Sequence, residues 1–239
     1  MSTIMEPYDF SLLYKPTPEE LLNGIPQNTQ QWLDARRGRI TASKRAHTII
    51  HSRESTLNTM MDQMAVELKH PADESFGSAA TEHGHAFEDQ AIDEYDMMRL
   101  TDGAIVKTPG MFVHPVFDIA SATPDFFEGD DTTGQIKCPY KLKNHLSLLH
   151  WGCRIANNAY YTQVQFESFV TGRPKIVFVS YHPDAPPTNQ VHIEEIERDE
   201  SMHAQFRNKL EEINHMLVNG LRFDVKKTKT GIDNIPDLF

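Results

Sequence analysis

Apolar residues recur at spacings of three and four along three long stretches of the chain, the signature of helices that bury one face. Leu57, Met60, Met61, Met64 and Leu68 predict a helix over residues 55–70, broken by Pro71. Phe87, Ala91, Ile92 and Tyr95 predict another from Ser78 to Arg99, with Glu88 set unexpectedly on its apolar side. Phe206, Leu210, Ile213 and Leu217 predict a last helix, capped by Asp199 and stopped at Gly220. Shorter helices are expected at Thr29–Ala35, Thr41–Ile50, Leu142–Trp151 and Ala156–Thr171, with Gly38 turning the chain between the first two and Thr41 or Ser43 capping the second. Strand-like runs lie in Met111–Phe127, bent at Pro115, then in Gln135–Cys138, Lys175–Tyr181 and Gln190–Glu197. Residues 1–30 are polar and weakly patterned, an expected arm with one short helix near Pro18–Leu22. The order predicts one α/β domain over residues 31–220, a central mixed sheet flanked by helices, with a polar tail at 221–239.

Composition narrows the class. The 239 residues are 39% hydrophobic and 24% charged, as in water-soluble globular domains. No apolar run approaches the roughly 20 residues of a membrane span, Met1–Phe10 does not read as a signal peptide, and two cysteines make no disulfide framework. A cytoplasmic location is expected. The net charge of −11 argues against nucleic acid on average, yet Arg36, Arg37 and Arg39, residues 137–143 and residues 226–229 form local basic clusters. Two histidines flanking Gly84 do not share a helix face and have no cysteine partner, so zinc is not expected.

The chemistry concentrates in the middle. Thr123-Pro124-Asp125 precedes a polar turn, after which Gln135-Ile136-Lys137 returns as a strand. Residues 135 and 137 point to one face of that strand, and the Ile136 carbonyl lies between them. A carboxylate, a carbonyl and a lysine around one point suit a hard divalent cation acting on a phosphodiester. The same spacing also describes an ordinary polar hairpin.

The wider pattern resembles the lambda-type (YqaJ-like) phage recombination exonucleases of the PD-(D/E)xK nuclease superfamily. The segments that carry the resemblance are residues 31–43 (QWLDARRGRITAS), 84–88 (GHAFE), 121–125 (SATPD), 135–140 (QIKCPY) and 159–166 (AYYTQVQF), in family order. The resemblance implies the restriction-endonuclease-like core and a role for each residue. Asp125, residue 135 and the Ile136 carbonyl match Mg²⁺ ligands, with Mn²⁺ as a substitute; Lys137 matches the catalytic lysine and Glu88 a helix carboxylate reaching the metal. Arg36, Ser43, Thr123 and Gln163 match a pocket for the 5′-phosphate. Lys143, Arg37 and Arg39 are candidate DNA contacts. The implied activity is 5′→3′ digestion of one strand of linear duplex DNA, leaving 3′ overhangs for recombination by strand annealing. The implied assembly is a homotrimeric ring working with a phage single-strand annealing protein in the bacterial cytoplasm.

Position 135 departs from the pattern, because the family expects Glu and this chain has Gln. An amide keeps one oxygen but loses the charge and adds an NH₂ that cannot bind a cation. The chain is therefore expected to be inactive or weakened, and a deliberate near-isosteric replacement is preferred over a native amide. The alternatives are a non-cleaving DNA-end-binding protein and a structure-specific endonuclease of the same superfamily. The last residues, Asp233–Phe239, also resemble the acidic-apolar tips of single-strand-binding proteins, although an unstructured end or a strand on a neighbouring subunit is preferred.

Overall fold

A computed structural model describes residues 8–70, 79–99 and 105–225. The helices are α1 (Pro18–Asn23), α2 (Gln30–Arg36), α3 (Ala46–His51), α4 (Glu54–Lys69), α5 (Ala79–Arg99), α6 (Leu142–Ala156), α7 (Asn158–Thr171) and α8 (Glu200–Asn219). The strands are β1 (Ile40–Thr41), β2 (Ile105–Lys107), β3 (Phe112–Val113), β4 (Ala120–Ala122), β5 (Phe126–Glu128), β6 (Thr132–Lys137), β7 (Lys175–Tyr181) and β8 (Val191–Ile196).

Five strands form the main sheet in the order β2-β5-β6-β7-β8, antiparallel except for the parallel β6–β7 pair. A parallel neighbour needs a long crossover, and here it consists of α6 and α7. A second, three-stranded sheet has the order β1-β4-β3, with β1 and β4 parallel. Period-two alternation divides the main sheet's side chains between two cores. Ile136, Val177, Val179 and Tyr181 pack with Ala91, Ile92 and Tyr95 of α5. Ile176 and Phe178 belong to the larger core, with Tyr161, Val164 and Phe166 of α7 and the apolar stripe of α8. Gln135 and Lys137, alternating with Ile136, therefore face the α7 side. α7 has no solvent face over Tyr161–Val170, where every residue is buried.

The amphipathic helices and β7 lie where the pattern predicts them. Three expectations need correction. Thr41 is in β1 rather than at a helix start, and α3 begins after a turn with no side-chain cap, because Thr41 is committed to the β4 register. The weakly patterned arm is packed in its described part: Tyr8, Leu13 and Ile25 are buried, and the Tyr8 hydroxyl donates to the Gly38 carbonyl at 2.6 Å. The start of the tail is likewise docked, since Phe223 is buried and exchanges two hydrogen bonds with Asn58. Asp233–Phe239 and the basic cluster at 226–229 lie outside the described residues.

Candidate active site

Asp125 is carried by the short link between β4 and β5. Its backbone N–H donates to the Gly134 carbonyl at 3.0 Å, and its carbonyl accepts from Thr108 at 2.8 Å. Phe126 lies opposite Gly134 in the β5–β6 ladder, and a Cβ on Gly134 would overlap the Phe126 ring. That close approach requires glycine at 134.

The side-chain network is unbroken. Asp125 Oδ2 accepts from the Ile136 N–H at 2.7 Å and from Gln135 Nε2. Gln135 Nε2 also donates to the Ile136 carbonyl at 3.2 Å. On its other side, Gln135 Oε1 accepts from Gln163 Nε2 at 2.8 Å, and the same nitrogen donates to Glu167 Oε1 at 2.8 Å. Gly84, Glu88, Asp125, Gln135, Ile136, Lys137, Cys138 and Tyr160 surround a cavity of about 240 Å³. Lys137 Nζ lies 5.4 Å from the centre of the Tyr160 ring, within cation–π range.

The electrostatics are those of a site short of positive charge. Burial pushes the Asp125 carboxyl up to about 7, with Lys137 pulling it down and Glu88 pushing it further up. Burial, and then the charge of Asp125, raises Glu167 well above the usual carboxylate range. Burial holds the Cys138 thiol at about 12, so it is a neutral wall residue and not a nucleophile.

These oxygens suit a hard cation. Asp125 Oδ2 and the Ile136 carbonyl converge on one point, now taken by the Gln135 NH₂, and the Glu88 carboxylate lines the same cavity. Among the described residues no three His, Cys, Asp or Glu side chains group as a metal site. A backbone carbonyl and one amide would have to complete the set.

Of the residues expected at the 5′-phosphate, Arg36 and Thr123 meet through Trp32. The Arg36 guanidinium stacks 4.3 Å from the centre of the Trp32 ring, and Trp32 Nε1 donates to Thr123 Oγ1 at 3.2 Å. Burial lowers the Arg36 pKa, with Arg45 adding to the effect, and no described carboxylate forms an ion pair with it. Ser43 is exposed in the turn that leads from β1 into α3, closed by the Arg45 N–H donating to the Thr41 carbonyl at 3.0 Å. Gln163 lies next to residue 135, its Nε2 donating to Gln135 Oε1 and Glu167 Oε1.

The DNA-contact candidates divide. Lys143 is exposed in the first turn of α6. Arg37 is paired with Asp34 at 2.7 Å and donates to the His70 carbonyl at 3.3 Å. Arg39 is a correction: it is 1% exposed, and its guanidinium donates to the carbonyls of Asp118, Ala35 and Tyr14 at 2.7, 2.5 and 2.7 Å. It braces the fold and cannot reach a nucleic acid. Sequence reasoning missed Glu167, although its position four residues after Gln163 puts both on one helix face. It also gave no role to Trp32 or Tyr160.

Residues 31–174 match the model of the YqaJ-like viral recombinase domain, more than half the chain. The chain belongs to that family. Its fold is similar to that of an alkaline exonuclease from Laribacter hongkongensis: TM-score 0.69 and 28% identity, covering 79% of this chain and 92% of that one. The same enzyme in complex with dAMP gives a TM-score of 0.68 at 27% identity, with the same coverage. A phage-related exonuclease from Haemophilus somnus shares the fold at TM-score 0.61 and 14% identity, covering 75% and 93% of the two chains. No curated protein matches the sequence. The YqaJ-like family and these neighbours support a DNA exonuclease role on a PD-(D/E)xK-type fold. Among the described residues no helix is long and apolar enough to cross a membrane.

Proposed function

We propose that this chain is a divalent-metal-dependent exonuclease that degrades one strand of linear duplex DNA 5′→3′ and leaves 3′ overhangs for recombination by strand annealing. The observation that carries the reading is the convergence of Asp125, Glu88, the Ile136 carbonyl and Lys137 on one cavity. Mg²⁺ bound there, or Mn²⁺ in its place, would neutralise the scissile phosphate and lower the pKa of a bound water. Asp125, Glu88 and the Ile136 carbonyl hold the ion, and Lys137 stabilises charge developing on the phosphate. Arg36, with Thr123 and Ser43, grips the 5′-phosphate as a guanidinium fork flanked by hydroxyls. The relative that binds dAMP supports a site sized for a nucleoside 5′-monophosphate. Arg37 and Lys143 follow the backbone of the duplex. A homotrimeric ring and a phage single-strand annealing partner in the host cytoplasm complete the reading.

Gln135 weakens or abolishes cleavage in this chain. Its NH₂ on Asp125 favours one second reading, a DNA-end-binding protein that does not cut. Gln135→Glu decides between them. Restoring the carboxylate raises Mg²⁺-dependent digestion of linear duplex by at least about 100-fold, with closed circles spared. End binding without turnover in that variant supports the second reading, and cleavage of closed circles supports an endonuclease.

A further inference from the structure

Arg36 and Ser43 belong to one arch of chain: the end of α2, a turn at Gly38, β1 and the turn into α3. One carboxylate of α4 meets both ends of that arch. Glu67 Oε2 accepts from the Gly38 N–H at 3.3 Å and from Arg45 Nη1 at 3.0 Å. Its Oε1 accepts from Arg45 Nη2 and from Lys44 Nζ, each at 2.7 Å. Gly38 is held from its other side too, its carbonyl accepting from the Tyr8 hydroxyl at 2.6 Å. The turn has φ +70°, and a Cβ on Gly38 would strike the Tyr8 hydroxyl and the Leu68 side chain. Arg45 is buried and donates to the Arg39 carbonyl at 2.8 Å, which ties the far end of the arch back to the near one.

Every one of these Glu67 partners is a donor, so position 67 calls for a group that only accepts. Burial alone would raise the Glu67 carboxyl, but the hydrogen bonds and charges of Arg45 and Lys44 outweigh it and hold the group at about 2. The carboxylate is therefore ionised throughout the working pH range. Arg36 feels the same cluster, with the Arg45 charge opposing its own and Glu67 supporting it.

We propose that Glu67 and Tyr8 are positioning residues for the 5′-phosphate grip. They clasp Gly38 from two sides, and Glu67 also holds Lys44 and Arg45, so that Arg36 and Ser43 keep one spacing. The proposal rests on the reading of Arg36 and Ser43 as phosphate ligands. A fork of donors rewards a terminal phosphate only while its members stay in register, and a misplacement of about 1 Å can cost on the order of 100-fold. A 5′-hydroxyl end makes no such demand.

The test is end binding by fluorescence anisotropy in EDTA, with hairpin duplexes whose single open end carries a 5′-phosphate or a 5′-hydroxyl. The chain as it stands prefers the phosphate, and Arg36→Ala erases the preference. Glu67→Gln, shown to be folded by a cooperative thermal melt, lowers the preference by about tenfold, because its NH₂ is set against donors. Tyr8→Phe, which removes one hydroxyl and little else, lowers it by about threefold. A residue needed only for packing would weaken both ends alike and leave their ratio unchanged. The parental ratio in Tyr8→Phe and in folded Glu67→Gln, with the preference lost in Arg36→Ala, overturns the positioning role and spares the phosphate reading. Should Glu67→Gln fail to fold, Tyr8→Phe decides on the same criterion. No phosphate preference in the parent overturns both.

Discussion

Removing the Asp125 charge should stabilise the metal-free protein, and by an amount that depends on pH. Burial raises this carboxyl from an ordinary 3.8 to about 7. A folded-state pKa above the unfolded one means that the native state binds the extra proton between those values. Stability is therefore highest below pH 4 as far as this group is concerned, and it falls as pH rises toward 7. Just over three pH units at about 1.4 kcal/mol each set an upper bound of ~4 kcal/mol; the residual exposure of Asp125 reduces this to ~2 kcal/mol. Asp125→Asn keeps an oxygen for the Ile136 N–H and Gln135 Nε2 and carries no charge. In urea denaturation with EDTA, the variant should match the parent near pH 3 and exceed it by ~2 kcal/mol at pH 8. Mn²⁺ should narrow the gap in the Gln135→Glu background, where the parent binds the ion and the Asn variant does not. A stability difference that stays constant from pH 3 to 8 would refute the argument.

Three other outcomes are expected. Arg39→Met should destabilise by about 3–5 kcal/mol in chemical denaturation, because it strips the donor from three buried carbonyls; an unaltered salt dependence of DNA binding would accompany it. Gly134→Ala should cost about 1–3 kcal/mol, as the new methyl displaces Phe126, and it should lower cleavage in the Gln135→Glu background beyond what the stability loss explains. Arg36→Ala, assayed in that same background, should erase any preference for 5′-phosphorylated over 5′-hydroxyl ends while leaving the metal affinity within about twofold.

Much of this architecture was legible because burial is periodic. The stripes of α4, α5 and α8 each report one dry face, the apolar run of β7 a strand buried on both, and the short range of the Asp125–Lys137 hairpin keeps its chemistry within one stretch of sequence. What could not be read depends on long-range partners. Arg39 looks basic and available until its three carbonyl partners arrive from residues 4, 25 and 79 positions away. Thr41 has the composition of a cap, but its pairing with β4, 80 residues on, makes it a strand. Glu167 carries no sign in its neighbours that it will be buried, because α7 lacks an amphipathic period altogether. The resemblance supplied the residues around Asp125, whereas the contact of Gln163 with Gln135 and Glu167 emerged only from the three-dimensional network.

That missing period on α7 has a consequence for how the family can drift. The helix touches α3, α6 and α8 as well as β3, β4, β6 and β7, so no side of it is free to accumulate neutral change. A saturation scan of the chain would show tolerance rising and falling every third or fourth residue along α4 and α8. Over residues 161–170 it would show one solid intolerant block. Changes near the active site that arise on this helix must therefore come as compensated pairs, and an amide or carboxylate altered at 163 or 167 should be accompanied by a change at 135.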